Sequence, residues 1–310
     1  MKLNQLEEQS FALAELNTYD LTGLGINKET ALKELREDLI SEIEDLNSED
    51  TKKARFDHFK VKGASPDDYS EKLLKLDDDE SIVYGIRNMG GNPDIPFVQI
   101  IPNFEITSKQ MSLSIYERIK DEFKAFGPLY LSFQTRTRID ADFFGSVYMV
   151  AKTIDLVNKK PWPIEDRISF VDINDNSYYE WYKNGYDEFH SDVPGLKEKV
   201  TVNSEGSMTD SLEQGLLKFV EIYGERIGLI AGEKSELLGH TGVYFHEIYI
   251  SKKWKGKGIA KAIQRKFVTL FANELEYVWG TIDSSNLPSY KTAYSNGRRP
   301  IRHECFINLK

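Results

Sequence analysis

The chain has 310 residues, 40% of them hydrophobic and 12% aromatic, enough for about two packed domains and unlike a disordered composition. Its formal net charge of −10 argues against nucleic acid as a main partner, because neutralising phosphates takes clustered Lys and Arg. A single cysteine, Cys305, excludes an intramolecular disulfide, no stretch reaches the ~18 apolar residues of a membrane helix, and the start MKLNQLEEQSFALAEL lacks the pattern of a signal peptide; a cytoplasmic protein away from membranes is expected.

Residues 1 to 80 read as an acidic helical segment, packed on or part of an N-terminal domain. Leu32, Leu35, Leu39, Ile43 and Leu46 recur at spacings of three and four, which is one apolar stripe of a helix. The pattern then changes. SIVYGIRNM (81 to 89) and PFVQIIPNFEI (96 to 106) are rich in β-branched and aromatic residues and are expected as strands. Residues 108 to 126 open on a Ser cap and carry Met111, Ile115, Ile119 and Phe123 four apart, a helix stopped by Gly127-Pro128. PLYLSFQT and SVYMVAKTIDLV read as further strands, closing an α/β domain over 81 to 165.

The two prolines of NKKPWPIEDR (158 to 167) mark the expected boundary, and the third segment, 166 to 310, follows. RISFVDI reads as a strand and YYEWYKNGYDEFH as an aromatic-rich helix. LKFVEIYGERIGLIAGEK reads as a hairpin turning at Tyr223-Gly224-Glu225. GVYFHEIYIS (242 to 251) is a strong strand pattern. GIAKAIQRKFVTLFANEL is a helix with Ile259, Ile263, Phe267 and Leu270 on its buried side. YVWGTID, a short helix from Asn286 to Gly297 and a last strand IRHECFINL complete the series. Alternation of strands and helices implies a mixed α/β sheet.

The most informative stretch is Lys253-Trp254-Lys255-Gly256-Lys257-Gly258-Ile259-Ala260, lying between a strand and an amphipathic helix. A glycine turn at a helix start leaves backbone N–H groups pointing outward, and the helix dipole favours negative charge there. Lys255 and Lys257 would add positive charge. The P-loop pattern G-x-x-x-x-G-K-[ST] is absent, and Lys261 stands where the third glycine of a dinucleotide fingerprint belongs.

This segment resembles motif A of the GNAT acetyltransferases, [RQ]-x-x-G-x-[GA], with Lys253 at the Arg/Gln position and Gly256 and Gly258 at the two glycines. Asn286 to Gly297 resembles motif B, in which an Asn opens a short helix and a Gly closes it. EIYGERIGLIAGEK resembles the family's central hairpin. The likeness covers about 168 to 310, in the family's order. It implies the GNAT mixed-sheet fold for the C-terminal half and acetyl-CoA as co-substrate, held in a gap between the strands 242 to 251 and 277 to 283. The pyrophosphate would rest on the N–H groups of 255 to 260, the pantetheine arm along the backbone near Ile248 and Ile250, and Asn286 on the far side of that arm. The reaction implied is transfer of an acetyl group to a small-molecule or protein amine by direct attack in a ternary complex. The alternative is a non-catalytic acyl-CoA sensor or interaction protein.

Amine acylation needs a base for the amine, polarisation of the thioester and protonation of the leaving thiolate. Glu247, on the strand running into the glycine loop, is the candidate base; a structural or substrate-binding carboxylate is the alternative. His246 faces the opposite side if the strand is regular. In many GNAT enzymes a Tyr seven residues after the motif B Asn acts as the acid, but that position here is Ala293; Tyr294 and Tyr290 are the nearby substitutes. The aromatics of 178 to 189 are expected to form either an acceptor pocket or plain core. No histidine cluster with Cys305 has metal-ligand spacing, so no metal site is expected.

The first half shows a weaker echo. In IIPNFEITS, Ile100, Pro102 and Phe104 occupy the hydrophobic, proline and aromatic positions of a GNAT strand, while Glu105, Ile106 and Ser108 stand at the Arg and the two Gly positions. The expectation is a GNAT-like copy unable to bind CoA, with an unrelated α/β domain as the alternative.

Overall fold

The computed structural model describes residues 1–77, 79–197 and 200–310. Its contacts divide into two compact units: Met1–Val147 with Ile301–Lys310, and Tyr148–Pro300. The division falls ahead of the two-proline stretch at 158 to 167, and the last strand of the chain belongs to the first unit.

The first unit opens with α1 (Gln5–Asn17), α2 (Lys28–Leu46) and α3 (Glu49–Phe59). Asn4 and Asn27 cap the first two through their side chains, as Asn does well at this position. The apolar stripe of α2 buries Ala31, Leu35, Leu39 and Ile43; Leu39 and Ile43 pack with Phe11 of α1 and Val83. Strands β1 (Lys72–Lys75), β2 (Ser81–Asn88), β3 (Pro96–Pro102) and β4 (Tyr130–Thr135) follow, with α4 (Lys109–Ile119) between β3 and β4. Strand β1 lies in the segment expected to be wholly helical. Its pairing with β2, Lys72 opposite Tyr84 to Lys75 opposite Ser81, is a tertiary contact that local composition does not report. Strand β3 stops at Pro102, short of the expected 106, where a proline removes a ladder donor. Strand β5 (Phe143–Lys152) starts in this unit, and β11 (Arg299–Asn308) pairs antiparallel with β4, Cys305 opposite Phe133.

In the second unit α5 (Thr153–Val157) replaces the end of the expected strand 146 to 157. Then come β6 (Ile168–Asp172), α6 (Tyr178–Asp192), α7 (Glu205–Glu213), β7 (Leu217–Ile222), β8 (Glu225–Leu237), β9 (His240–Ile250), α8 (Ile259–Val268), β10 (Tyr277–Asp283) and α9 (Leu287–Ser295). The strand order is β5-β10-β9-β8-β7-β6. The β7–β8 hairpin turns on Tyr223 and Gly224, both at positive φ (53° and 77°), the geometry of a two-residue turn matched to strand twist. One face of the sheet meets α8, which buries Ile259, Ile263 and Phe267 against Val243, Phe245, Ile250 and Val278. The other face meets α6 and α7 through Tyr178, Tyr182, Tyr186 and Met208 against Leu229, Ala231 and Tyr249. Leu270, expected on the buried side of α8, is 53% exposed, because the helix ends at Val268 and the 3.6-residue phase ends with it.

Candidate active site

Strands β9 and β10 run parallel but pair only at Gly242–Tyr277, Val243–Val278 and Tyr244–Trp279. Beyond that point β9 continues to Ile250 and β10 to Asp283 without pairing to each other. On its other side β9 stays paired with β8 along its whole length. The two parallel strands therefore part from Phe245 and Gly280 onward. The backbone of β9 that faces the gap can be identified. Ser251 N–H donates to the Ile227 carbonyl, on the β8 side. Backbone groups alternate sides in an antiparallel ladder, so Ile248 and Ile250 turn theirs toward the gap.

The register with β8 shifts between Ala231 and Gly232: Ala231 pairs with Glu247 but Gly232 with Phe245, leaving His246 as an extra residue. This bulge breaks the alternation expected for a regular strand. Val243, Phe245, Ile248 and Ile250 pack on the α8 side. Glu247 reaches α6 on the other face, and His246 lies against Tyr244 (5.1 Å between rings) with its Nε2 2.9 Å from Glu233 Oε2. His246 and Glu247 thus share a face rather than opposing one another.

Glu247 is the electrostatic centre of this site. Its Oε2 accepts hydrogen bonds from Tyr182 Oη and Tyr186 Oη, both at 2.6 Å, and from Asn203 Nδ2 at 3.3 Å. Burial pushes its carboxyl above the usual carboxylate range, while the bonds from Tyr182 and Tyr186 act in the opposite sense. Both tyrosines are themselves held protonated by burial and by the neighbouring carboxylate, so they stand as donors. Gly185 lets α6 approach: a Cβ there would meet Tyr249 Oη at 1.9 Å. Of the expected aromatic group, Tyr178, Tyr182 and Tyr186 are buried, and Trp181 packs edge-on against Phe219 and Tyr249. Asn203 was not anticipated. It comes from an irregular stretch 44 residues before Glu247, and nothing in the local sequence marks it.

The glycine loop joins β9 to α8. Gly256 and Gly258 sit at φ 75° and 69°, a region that side chains rarely adopt. No side chain caps α8, so its first N–H groups have no side-chain acceptor. Lys253 pairs with Glu225 at the β7–β8 turn (2.8 and 3.0 Å), and the same carboxylate accepts from Trp254 Nε1 at 3.0 Å. Lys257 lies over the Trp254 ring. Lys255 Nζ stands 4.0 Å from the Phe189 ring centroid of α6; burial lowers its pKa, and Glu247 is first among the charges that act the other way. Lys255 thus links the loop to the Glu247 side of the sheet, while Lys253 serves to fix the loop. Ile259 is buried beneath α8 and Ala260 packs partly buried beside it.

Asn286 caps α9, its Oδ1 accepting from Ser289 N at 3.2 Å. Ala293 is fully buried. Tyr290 and Tyr294 stack on one face of α9 (6.4 Å, 9°), Tyr290 half-buried and Tyr294 62% exposed. After α9, Arg298 turns inward and is 4% exposed. Its guanidinium lies 5.2 Å from the Phe245 ring centroid, and a Cβ on Gly280 would stand 3.3 Å from Nη1. Burial lowers its pKa to about 9. Among the described residues no group of three or more His, Cys, Asp or Glu is placed to hold a metal ion, and no helix is long and apolar enough to cross a membrane.

No family model matches the chain, and no curated protein matches it. Among solved structures, a GCN5-related N-acetyltransferase from Sphaerobacter thermophilus aligns over 97% of this chain and 93% of its own, at 14% identity and TM-score 0.47. A GNAT-family acetyltransferase from Colwellia psychrerythraea aligns over 83% and 95%, at 11% identity and TM-score 0.44. Arabidopsis thaliana Naa50, in complex with the bisubstrate analogue CoA-Ac-MVNAL, aligns over 44% of this chain and 97% of its own, at 13% identity and TM-score 0.33. The second unit's own topology has a bulged strand parting from its parallel neighbour, followed by a glycine loop and a helix, the arrangement expected from the sequence resemblance to the GNAT fold.

Proposed function

We propose that the second unit binds acetyl-CoA and transfers its acetyl group to an amine. The observation that carries this reading is the parting of β9 from β10 beside an uncapped, glycine-led helix, with Glu247 enclosed on the same strand. The free N–H groups at Gly256 to Ala260, with Lys255 and Lys257 beside them, receive the pyrophosphate. The unpaired backbone of Ile248 and Ile250 receives the pantetheine arm as a strand would, and Asn286 borders the arm from β10's side. The thioester then lies toward the vertex of the gap. An amine arriving on the α6 face gives its proton to Glu247, directly or through a water, and attacks the carbonyl carbon. The C–S bond breaks and the sulfur leaves with its electron pair. Ala293 offers no proton for it, which leaves the hydroxyls of Tyr290 and Tyr294 on α9.

The raised pKa of Glu247 makes it a stronger base than an ordinary carboxylate. The acceptor is a small-molecule or protein amine. The face it meets holds Glu247, Glu233 and the rings of Tyr244 and Trp279, which suit a cation with apolar carbon. Acetyl-CoA should raise the melting temperature, and thiol release should appear with members of an amine panel. A thermal shift without thiol release for any amine would favour an acyl-CoA sensor; no thermal shift would end the acyl-CoA reading.

A further inference from the structure

Arg298 stands out among the buried groups of the second unit. Its Nε and Nη1 are buried with no hydrogen-bond partner among the described residues. Leaving charged donors unsatisfied away from water is expensive, and buried guanidinium groups are ordinarily paired. Among the described residues no carboxylate acts on it, and the titratable group that does is Tyr244 of β9, whose Oη shares a hydrogen bond with Thr281 Oγ1 at 2.7 Å. Other polar groups of α8, and Asn296 just after α9, are engaged elsewhere. Asn296 donates to the Lys261 carbonyl and to Gln264 Oε1, Arg265 pairs with Glu165 at 2.7 Å, and Lys261 Nζ stands 3.7 Å from the Trp162 ring centroid. Glu247 projects from the opposite face of β9 into the tyrosines of α6.

The location is as specific as the lack of partners. Phe245 and Gly280 are the first residues past the last paired step of β9 and β10, and the guanidinium rests against both. It therefore sits at the vertex of the gap. A side chain at 280 would press on Nη1, its Cβ 3.3 Å away. A ligand whose phosphates rest at the mouth of the gap, on the α8 N-terminus, carries its far end toward this vertex. For acyl-CoA that end is the thioester.

We infer that Arg298 is the counter-charge for the departing thiolate. Resting on the acyl-CoA reading above, the step is this: the amine nitrogen bonds to the carbonyl carbon, its proton passes to Glu247, the C–S bond breaks, and the sulfur keeps the electron pair as a thiolate held by the guanidinium until it is protonated. The role explains how a chain with Ala293 at the usual acid position releases CoA. The charge is met by a fixed cation before any proton arrives.

The test needs no acceptor. CoA and its desulfo analogue, which lacks the sulfur, are titrated calorimetrically into the full chain across neutral to alkaline pH. The native protein should prefer CoA increasingly as its thiol ionises, up to the point near pH 9 where the buried guanidinium itself begins to lose its proton, reaching about 10- to 100-fold, the range of a hydrogen bond to a charged group. Arg298→Met should bind desulfo-CoA like the native protein and lose the pH-dependent preference. Arg298→Lys, which keeps the charge without the planar fork, should retain part of it. A native protein that binds both compounds equally at every pH overturns the inference while leaving the acyl-CoA reading intact. So does an Arg298→Met variant that keeps the full preference. A native protein that binds neither compound overturns both. If Arg298→Met binds neither, the native pH trend and Arg298→Lys decide.

Discussion

The two units share a device and use it differently. In each, a strand pairs in parallel with its neighbour for three residues and then leaves it. In the second unit these are Gly242 to Tyr244 against Tyr277 to Trp279; in the first, Phe97 to Gln99 against Tyr130 to Ser132. In each, the strand feeds a loop and then a helix. The loops differ. After β9 come Gly256 and Gly258 at positive φ, and α8 starts with no side-chain cap. After β3 comes Ile106, buried in the core with Ile115, Ile119 and Phe123, and Ser108, whose hydroxyl accepts from Met111 N–H at 3.2 Å. One helix start is left open to an anion; the other is closed by its own side chain and anchored by an apolar plug. Glu105, which stands where the family pattern has Arg, is exposed beside it. The same backbone frame is therefore left open at the helix start in one unit and closed in the other, as the proposed binding site requires. That the first unit is a GNAT-like copy unable to bind CoA remains our proposal, and this contrast supports it.

The largest expected effect separates the units chemically. Glu247→Gln keeps shape and hydrogen bonding but cannot accept a proton, so kcat should fall by about 10² to 10⁴ with CoA affinity unchanged. The deficit should narrow as pH rises, because more of the acceptor is then already the free amine. A deficit constant with pH would make Glu247 a positioning group instead. In the first unit, Ile106→Ala should cost about 2 to 5 kcal/mol of stability, the range for emptying a buried aliphatic site, with no change in acetyl-CoA affinity. Denaturant unfolding checks the first part and calorimetry the second. Loss of acetyl-CoA affinity there would place a ligand in the wrong unit.

Much of this contrast was legible in the sequence, and the limits have physical causes. The glycine loop, the Ser108 cap, the hairpin at Tyr223-Gly224 and the strand carrying Glu247 are local features, set by backbone conformation and periodicity over a few residues. The bulge at His246 was not legible, because it is a mismatch of register with β8 and exists only once the strands pair. Asn203 and Arg298 acquire their roles through contacts with residues 44 and 53 positions away in the chain, Glu247 and Phe245. Strand β1 and the return of β11 to the first unit are likewise long-range pairings. The resemblance named Glu247; only the fold showed that two tyrosines enclose it.

Smaller effects sharpen the comparison. Ser108→Ala removes the α4 cap and should cost about 1 kcal/mol without touching ligand binding. One pH effect on stability is expected from the second unit's enclosed carboxyl, Glu247. Glu247 has a folded pKa raised above its ordinary value of 4.5, so its contribution to stability is present below that value and is lost as pH rises through the raised one. Melting temperatures of native protein and Glu247→Gln, compared from mildly acidic to neutral pH, should show the native protein losing ground to the variant as pH rises. A gap that stays constant would mean that Glu247 is not perturbed in the fold.

The claim that one of two similar frames is the binding site is tested most directly by the number of sites. Calorimetric titration of the full chain with acetyl-CoA should give one site per chain. Gly258→Glu, which puts a carboxylate at the open helix start and a side chain at φ 69°, should abolish the binding while the chain stays folded. Two sites per chain, or one site that survives Gly258→Glu, would contradict it.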